Sequence, residues 1–262
     1  STYVGVGYPD KWRDYSGLMV DANDAFGNNE RAQEFEYQRA LAKFGKAVDE
    51  TEWCMNPQLV NAVNMPLQNA INFPAAYLQA PNFSLTASLA TNYGALGATI
   101  GHEISHSFDN SGAMFDAKGE LRNWWTKADF EHFERSSKAL IEQFNAYKPF
   151  PDLAVNGAQT LGENIADLAG LMAAYDAYHN AMQHKGLPVT KKDDQEFFLA
   201  YAQSWRGKMR DEYLRTIVVT NEHAPGKYRV LTVRNLDAWY DAFDVKADQK
   251  QYLAPTSRVK IW

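Results

Sequence analysis

The pentad His102-Glu103-Ile104-Ser105-His106 constrains this chain more than any other feature. It falls where Leu89, Leu96, Ile100 and Ile104 recur at mostly helical spacing, which predicts a helix over residues 86–108. On a helix, residues four apart share a face, so both imidazoles can reach one metal ion. Glu103 then stands beside the ion without ligating it, placed to take a proton from water. That is the arrangement of a zinc peptidase. Two histidines at this spacing also arise by chance on surface helices, so the pattern needs a companion.

A catalytic zinc usually takes three protein ligands and leaves one place open. The best source of the third is Leu161-Gly162-Glu163-Asn164-Ile165-Ala166-Asp167, where Glu163 and Asp167 are four apart and share a helical face. Glu163 is the candidate ligand. Asp167 is placed to accept from the outer nitrogen of one imidazole, and Asp109, three residues after His106, from that of the other. Local alternatives stand beside these readings. Thr160-x-x-Glu163 also fits a capping box that would occupy Glu163 with a backbone donor. Asp109, before Asn-Ser-Gly, also fits the start of a turn.

The remaining composition narrows the classes. In 262 residues, 45% are hydrophobic and 22% charged, enough for a sizeable core in a globular protein. The net charge is −6 and the 26 basic residues are scattered, which argues against a nucleic-acid surface. No apolar run approaches the roughly 20 residues of a membrane span. The opening Ser1-Thr2-Tyr3-Val4-Gly5 lacks the basic start and apolar middle of a signal peptide. Cys54 is the only cysteine, which excludes an internal disulfide and a cysteine-based structural zinc site. Between Trp53 and Met55 it reads as a buried, inert thiol. The compartment stays open, with a bacterial periplasm or secretion favoured and the cytoplasm allowed.

Along the chain, residues 1–20 read as extended and irregular and 22–47 as a helix. Leu59–Asn64 and Asn69–Phe73 read as two short strands joined by a turn near Pro66. After a Gly- and Asp-rich loop, Thr126 is placed to cap a helix reaching about Tyr147. Residues 161–184, 194–209 and 230–244 are further helical candidates. The expected fold is mainly α with a small β element, taken as one catalytic domain over residues 1–262.

Gly101-His102-Glu103-Ile104-Ser105-His106-Ser107-Phe108-Asp109, followed by Gly119-Glu120-Leu121-Arg122-Asn123-Trp124-Trp125, resembles the zinc segment of neprilysin-like metallopeptidases. That family includes neprilysin, the endothelin-converting enzymes and the bacterial oligopeptidase PepO. Residues 161–167 resemble its second zinc motif. Val60-Asn61-Ala62 resembles its substrate-backbone motif, although Val63 stands where the family usually has an aromatic. Glu222-His223-Ala224-Pro225-Gly226-Lys227-Tyr228-Arg229 resembles its transition-state segment. The opening Gly7–Tyr15 and the closing Arg258–Trp262 fit as well, so the likeness runs end to end.

The resemblance implies a thermolysin-like (gluzincin) catalytic domain with one Zn²⁺ between two helices, held by His102, His106 and Glu163. It implies Glu103 as base and His223 as donor to the transition state. Arg229, Asn61 and Ala62 would bind the peptide backbone. Phe83, Thr99 and Trp205 would line the pocket after the cleaved bond, with cutting on the amino side of large apolar residues. Taken alone, His223 reads as a loop residue, Arg229 as a surface cation, Asn61 as a strand-end amide and Trp205 as core. Peptides are the expected partners. Family members usually carry a large upstream helical lobe, which this sequence is expected to lack and which could act as a separate chain. The alternatives are a catalytic portion that is inactive without that lobe, a module that captures peptides without cutting them, and a structural zinc protein.

Overall fold

The computed structural model describes residues 2–262; Ser1, the first residue of the stretch expected to be extended, lies outside them. The N-terminal stretch contains a strand, β1 (Tyr3–Gly7), and a helix, α1 (Ala25–Leu41), none of whose residues is buried. Two more strands follow, β2 (Val63–Met65) and β3 (Ala70–Pro74). The sheet order is β1-β3-β2, with β1 parallel and β2 antiparallel to the central strand. All five residues of β3 are buried, as befits a strand covered on both sides. The expected strand at Leu59–Asn64 is thus shorter and shifted. Val60 and Asn61 stay outside the ladder, because pairing starts where Val63 meets Asn72.

The metal-motif helix is a continuous helical track with a change of pitch. α2 (Leu89–Asn92) passes through a π-helical turn, Tyr93–Gly97, into α3 (Ala98–Ser105), and a 3₁₀ turn, His106–Phe108, ends it. Its apolar ladder does not mark the inner face: Ile100 and Ile104 are exposed, while Ala98, Gly101, His102 and Ser105 are buried. Small residues face inward because another helix crosses there at backbone distance.

That helix is α5 (Leu161–His184), which follows α4 (Lys127–Asn145). α4 starts as expected, with the Thr126 hydroxyl accepting from the Asp129 N–H. α5 is apolar around most of its girth: Ile165, Leu168 and Leu171 are fully buried, the signature of a core helix. It meets α3 at Gly101 and Gly170. A Cβ on Gly170 would lie 2.3 Å from the His102 backbone nitrogen, and one on Gly101 would lie 2.4 Å from the Gly170 carbonyl oxygen. Only glycine permits this approach.

α6 (Lys191–Ser204) begins earlier than expected because Thr190 and Asp193 form a capping box, and it ends at Trp205. α7 (Asp211–Thr220) was not anticipated, since its run of β-branched residues from Thr216 carries weak helix propensity. The expected helix over 230–244 is two pieces, a 3₁₀ stretch Val230–Asn235 and a helix, α9 (Asp237–Phe243), preceded by a short helix, α8 (Gly226–Arg229). One large apolar core joins these helices, and a small cluster of Ala62, Ile71 and Phe73 lies under the sheet. Cys54 is exposed, correcting the expectation of a buried thiol. Among the described residues, no helix is long and apolar enough to cross a membrane.

Candidate metal centre and active site

His102 and His106 project from the end of the metal-motif helix toward the first turn of α5, where Glu163 meets them. The two Nε2 atoms are 2.9 Å apart. Glu163 Oε2 is 3.3 Å from His102 Nε2, and Oε1 is 3.5 Å from His106 Nε2. These separations match the edge of a zinc tetrahedron, about 3.3 Å for metal–ligand bonds near 2.0 Å.

The outer nitrogens explain why the inner ones converge. His102 Nδ1 donates to Asp167 Oδ1 at 2.9 Å, and His106 Nδ1 donates to Asp109 Oδ2 at 2.7 Å. Carboxylates accept only, so each neutral ring carries its proton on Nδ1 and a lone pair on Nε2. Two lone pairs facing each other at 2.9 Å beside a carboxylate repel unless a cation lies among them. The donor set of two imidazoles and one carboxylate suits Zn²⁺.

Each supporting carboxylate is itself held. Asp109 Oδ1 accepts the backbone N–H groups of Ser111 and Gly112, both at 2.7 Å, while its Oδ2 faces His106. Asp167 is gripped by Arg229, whose Nε donates to Oδ2 at 2.7 Å and Nη2 to Oδ1 at 2.8 Å. Arg229 Nη2 also reaches Glu163 Oε2 at 3.3 Å. Among the described residues, nothing accepts from its Nη1. The guanidinium stacks on Trp205, 3.8 Å from the ring centroid.

The capping-box reading of Glu163 fails: the Thr160 side chain caps nothing at the start of α5, and Glu163 turns to the histidines instead. The Thr160 hydroxyl donates to the Asn156 carbonyl and accepts from Asn164.

Charge organises the site. Burial pushes the Glu163 carboxyl up, but hydrogen bonds with His102 and His223 outweigh it and hold the group well below the usual carboxylate range. Burial likewise opposes ionisation of Asp167, and the Arg229 charge overcomes it. For His102, burial works against the charged form, yet hydrogen bonds to Asp167 and Glu163 raise the ring to about 9 in the metal-free protein. Glu103 goes the other way: burial pushes it up, against the pull of the two imidazoles. It is 6% exposed, lines the cavity and has no hydrogen-bond partner for its carboxylate among the described residues.

The cavity holds about 710 Å³. Asn61, Ala62, Thr99, Trp205, His223 and Arg229 line it with His102, His106 and Glu163, whereas Phe83 does not and its neighbour Asn82 does. His223 Nε2 is 3.0 Å from Glu163 Oε2. Asn61 and Ala62 lead into β2, whose outer edge is unpaired in the sheet. The sequence reading missed Asn64 in β2, whose amide donates to the Glu103 carbonyl at 2.6 Å and to the Ser107 hydroxyl at 2.8 Å. It ties the edge strand to the metal helix, and no local signal marks it.

Residues 61–259 match the family model of peptidase family M13. The chain is 40% identical over 259 residues to a neutral endopeptidase of Lactococcus lactis subsp. cremoris, covering 98% of this chain and 40% of that protein. It is 38% identical over 261 residues to human membrane metallo-endopeptidase-like 1, covering 95% of this chain and 33% of that protein. Its fold superposes on the Mycobacterium tuberculosis zinc metalloprotease ZMP1, solved with an inhibitor, with a TM-score of 0.94 at 44% identity, covering 100% of this chain and 41% of that one. PepO from Lactobacillus rhamnosis gives 0.89 at 41% identity, again covering 100% of this chain and 41% of that one. This chain thus spans about 40% of the length of the bacterial relatives it matches. A family match over most of the sequence, on a chain whose histidine pair and distant glutamate converge as described, makes this protein a member of peptidase family M13.

Proposed function

We propose that this chain carries the catalytic site of a zinc-dependent endopeptidase acting on peptides or small proteins. The observation that carries the reading is the convergence of His102, His106 and Glu163 beside a buried Glu103 with no partner of its own. His102, His106 and Glu163 would hold one Zn²⁺, which supplies Lewis acidity that acidifies water and polarises a carbonyl oxygen.

The chain's own groups do the rest. Glu103, its proton affinity raised by burial, takes a proton from the attacking water and passes it to the leaving nitrogen. Its freedom from other hydrogen bonds keeps both oxygens available for that transfer. His223 reaches into the cavity through Nε2 and, protonated there, donates to the oxygen on which negative charge develops. Arg229 is locked by Asp167 through Nε and Nη2, which leaves Nη1 as the arm for a substrate carbonyl. Asn61 and Ala62 extend the open edge of β2, where a peptide can add as a strand. Ala98, Thr99, Tyr201 and Trp205 offer a mostly apolar wall, which supports a preference for a large apolar residue after the cut. No observation favours capture without cleavage, since the base that such a module would lose is present.

Replacement of Glu103 by Gln tests the reading. Cleavage of a fluorogenic peptide should fall about 10²–10⁴-fold, with zinc content and peptide affinity retained. A chelator should abolish wild-type cleavage and Zn²⁺ restore it. Cleavage by Glu103→Gln at the wild-type rate would sink the proposal.

A further inference from the structure

A second set of donors also meets Glu163. Glu222 and His223, just beyond α7, bring a carboxylate oxygen and a ring nitrogen to within 4.8 Å of a Glu163 oxygen and of each other. The His223 ring is oriented for this. Its Nδ1 lies 2.9 Å from Asn221 Oδ1, an oxygen that also accepts the His223 backbone N–H at 2.8 Å. Nδ1 therefore donates, and in the neutral ring Nε2 presents a lone pair to Glu163 Oε2 at 3.0 Å. That contact becomes attractive only with a proton or a metal cation between the two atoms.

The two oxygens of Glu163 face different neighbours. Oε1 lies toward His106, while Oε2 lies 3.0 Å from His223 Nε2 and 3.3 Å from His102 Nε2, between the two sets of donors. A carboxylate so placed can bridge two cations, and paired metal ions commonly sit about 3.5–4 Å apart. The charge balance points the same way. Glu103, Asp109, Glu163, Asp167 and Glu222 line the cavity against one guanidinium, Arg229. A single divalent ion leaves two negative charges unmatched. Arg229 Nη2 also lies 3.3 Å from Glu163 Oε2, but its shorter bonds, 2.7 and 2.8 Å, go to the two oxygens of Asp167, which match its charge.

We propose that Glu163, Glu222 and His223 form a second, weaker site for a zinc-like divalent cation beside the one held by His102 and His106. The mixed nitrogen and oxygen donors select zinc-like ions over magnesium or calcium. Glu222 is exposed, so this site has less pre-organisation than the first and fills only as free zinc rises. Its occupation withdraws His223 from the substrate, making excess zinc an inhibitor. That consequence rests on the function proposed above; the binding itself does not.

The test is equilibrium dialysis of the metal-stripped chain against rising Zn²⁺, with bound metal counted directly. The wild-type chain should bind two ions, the second at least tenfold more weakly. Glu222→Gln and His223→Asn should each bind one, and that retained ion certifies their fold. One ion per wild-type chain through millimolar zinc would overturn the proposal, as would a second ion that survives either substitution. In parallel, peptide cleavage by the wild type should fall as the second ion binds, and Glu222→Gln should shift the inhibitory zinc midpoint upward at least tenfold. Two bound ions without inhibition would remove the regulatory consequence and leave the site standing. Two bound ions with no cleavage at any zinc level would instead count against the peptidase reading.

Discussion

The two imidazoles that converge on the proposed metal position are supported in different ways. His106 leans on Asp109, three residues away, and Asp109 is fixed by the backbone of its own turn. His102 leans on Asp167, 65 residues away, and Asp167 is fixed by Arg229, a further 62 residues on. The first support is a local turn that forms with little help from the rest of the fold. The second exists only when α3, α5 and α8 have all packed. One arm of the site thus belongs to a loop and the other to the core, and the core arm carries buried charges that must stay matched.

The sharpest way to break this contrast is to remove the carboxylate that serves the core arm. In Asp167→Asn, Arg229, 5% exposed, loses its closer ionic partner and keeps only Glu163 at 3.3 Å. Stripping one member from a buried ion pair costs about 3–5 kcal/mol, and losing the group that orients a ligand histidine weakens metal binding about 10–100-fold. Urea unfolding of the metal-free protein should show the first effect, and a zinc competition titration the second. A stability loss below about 1 kcal/mol would mean that the Arg229 pair is not the support described here.

The helix crossing comes next. Gly170→Ala puts a methyl group against the His102 backbone, with no flexible side chain to yield. Overpacking of this kind costs about 1–3 kcal/mol. Because it pushes α3 away from α5, it should also lengthen the His102–Asp167 contact and lower zinc affinity, while the Asp109 turn stays intact. A variant with wild-type zinc affinity and stability would show that the approach of the two helices does not set the site.

The same contrast explains what the sequence disclosed. The His102/His106 face and the His106–Asp109 pairing depend on spacings of four and three residues, so they were legible locally. Glu163 and Asp167 were legible as a pair on one helix, yet their side chains could equally have served a cap. Only the packing of α5 against α3 decides that Glu163 turns inward. The Arg229–Asp167 clamp and the Asn64 tether join residues far apart in the chain and leave no local trace. Periodicity located the helix through Ile100 and Ile104 but not its buried face, because that face of α3 is built from small residues that let another backbone come close. β1 looked irregular because its partner β3 lies 67 residues further on, in parallel register.

The loop arm should be gentler to break. Asp109→Asn keeps an oxygen that can still accept the Ser111 and Gly112 N–H groups, so the turn survives. The amide nitrogen then stands where Oδ2 accepted from His106 Nδ1, so the ring loses both its acceptor and the carboxylate charge that strengthens it as a ligand. Zinc affinity should fall within the roughly 10–100-fold range of such partners, with a stability change below about 1 kcal/mol. A loss as large as that of Asp167→Asn would erase the distinction between a turn-borne and a core-borne ligand.

Cys54 belongs to neither arm and gives the smallest expected effect. It is exposed, so a thiol reagent should label it in the native protein, and Cys54→Ser should change stability by no more than about 0.5 kcal/mol. Partial burial pushes its thiol above the ordinary value. The reactive thiolate is therefore scarcer than in a free cysteine at the same pH, and labelling should run slower at pH 8 and accelerate as the solution becomes more alkaline. Labelling that needs denaturant would place the thiol in the core after all. Labelling that releases zinc would tie this segment to the metal centre, from which both arms as described here are independent.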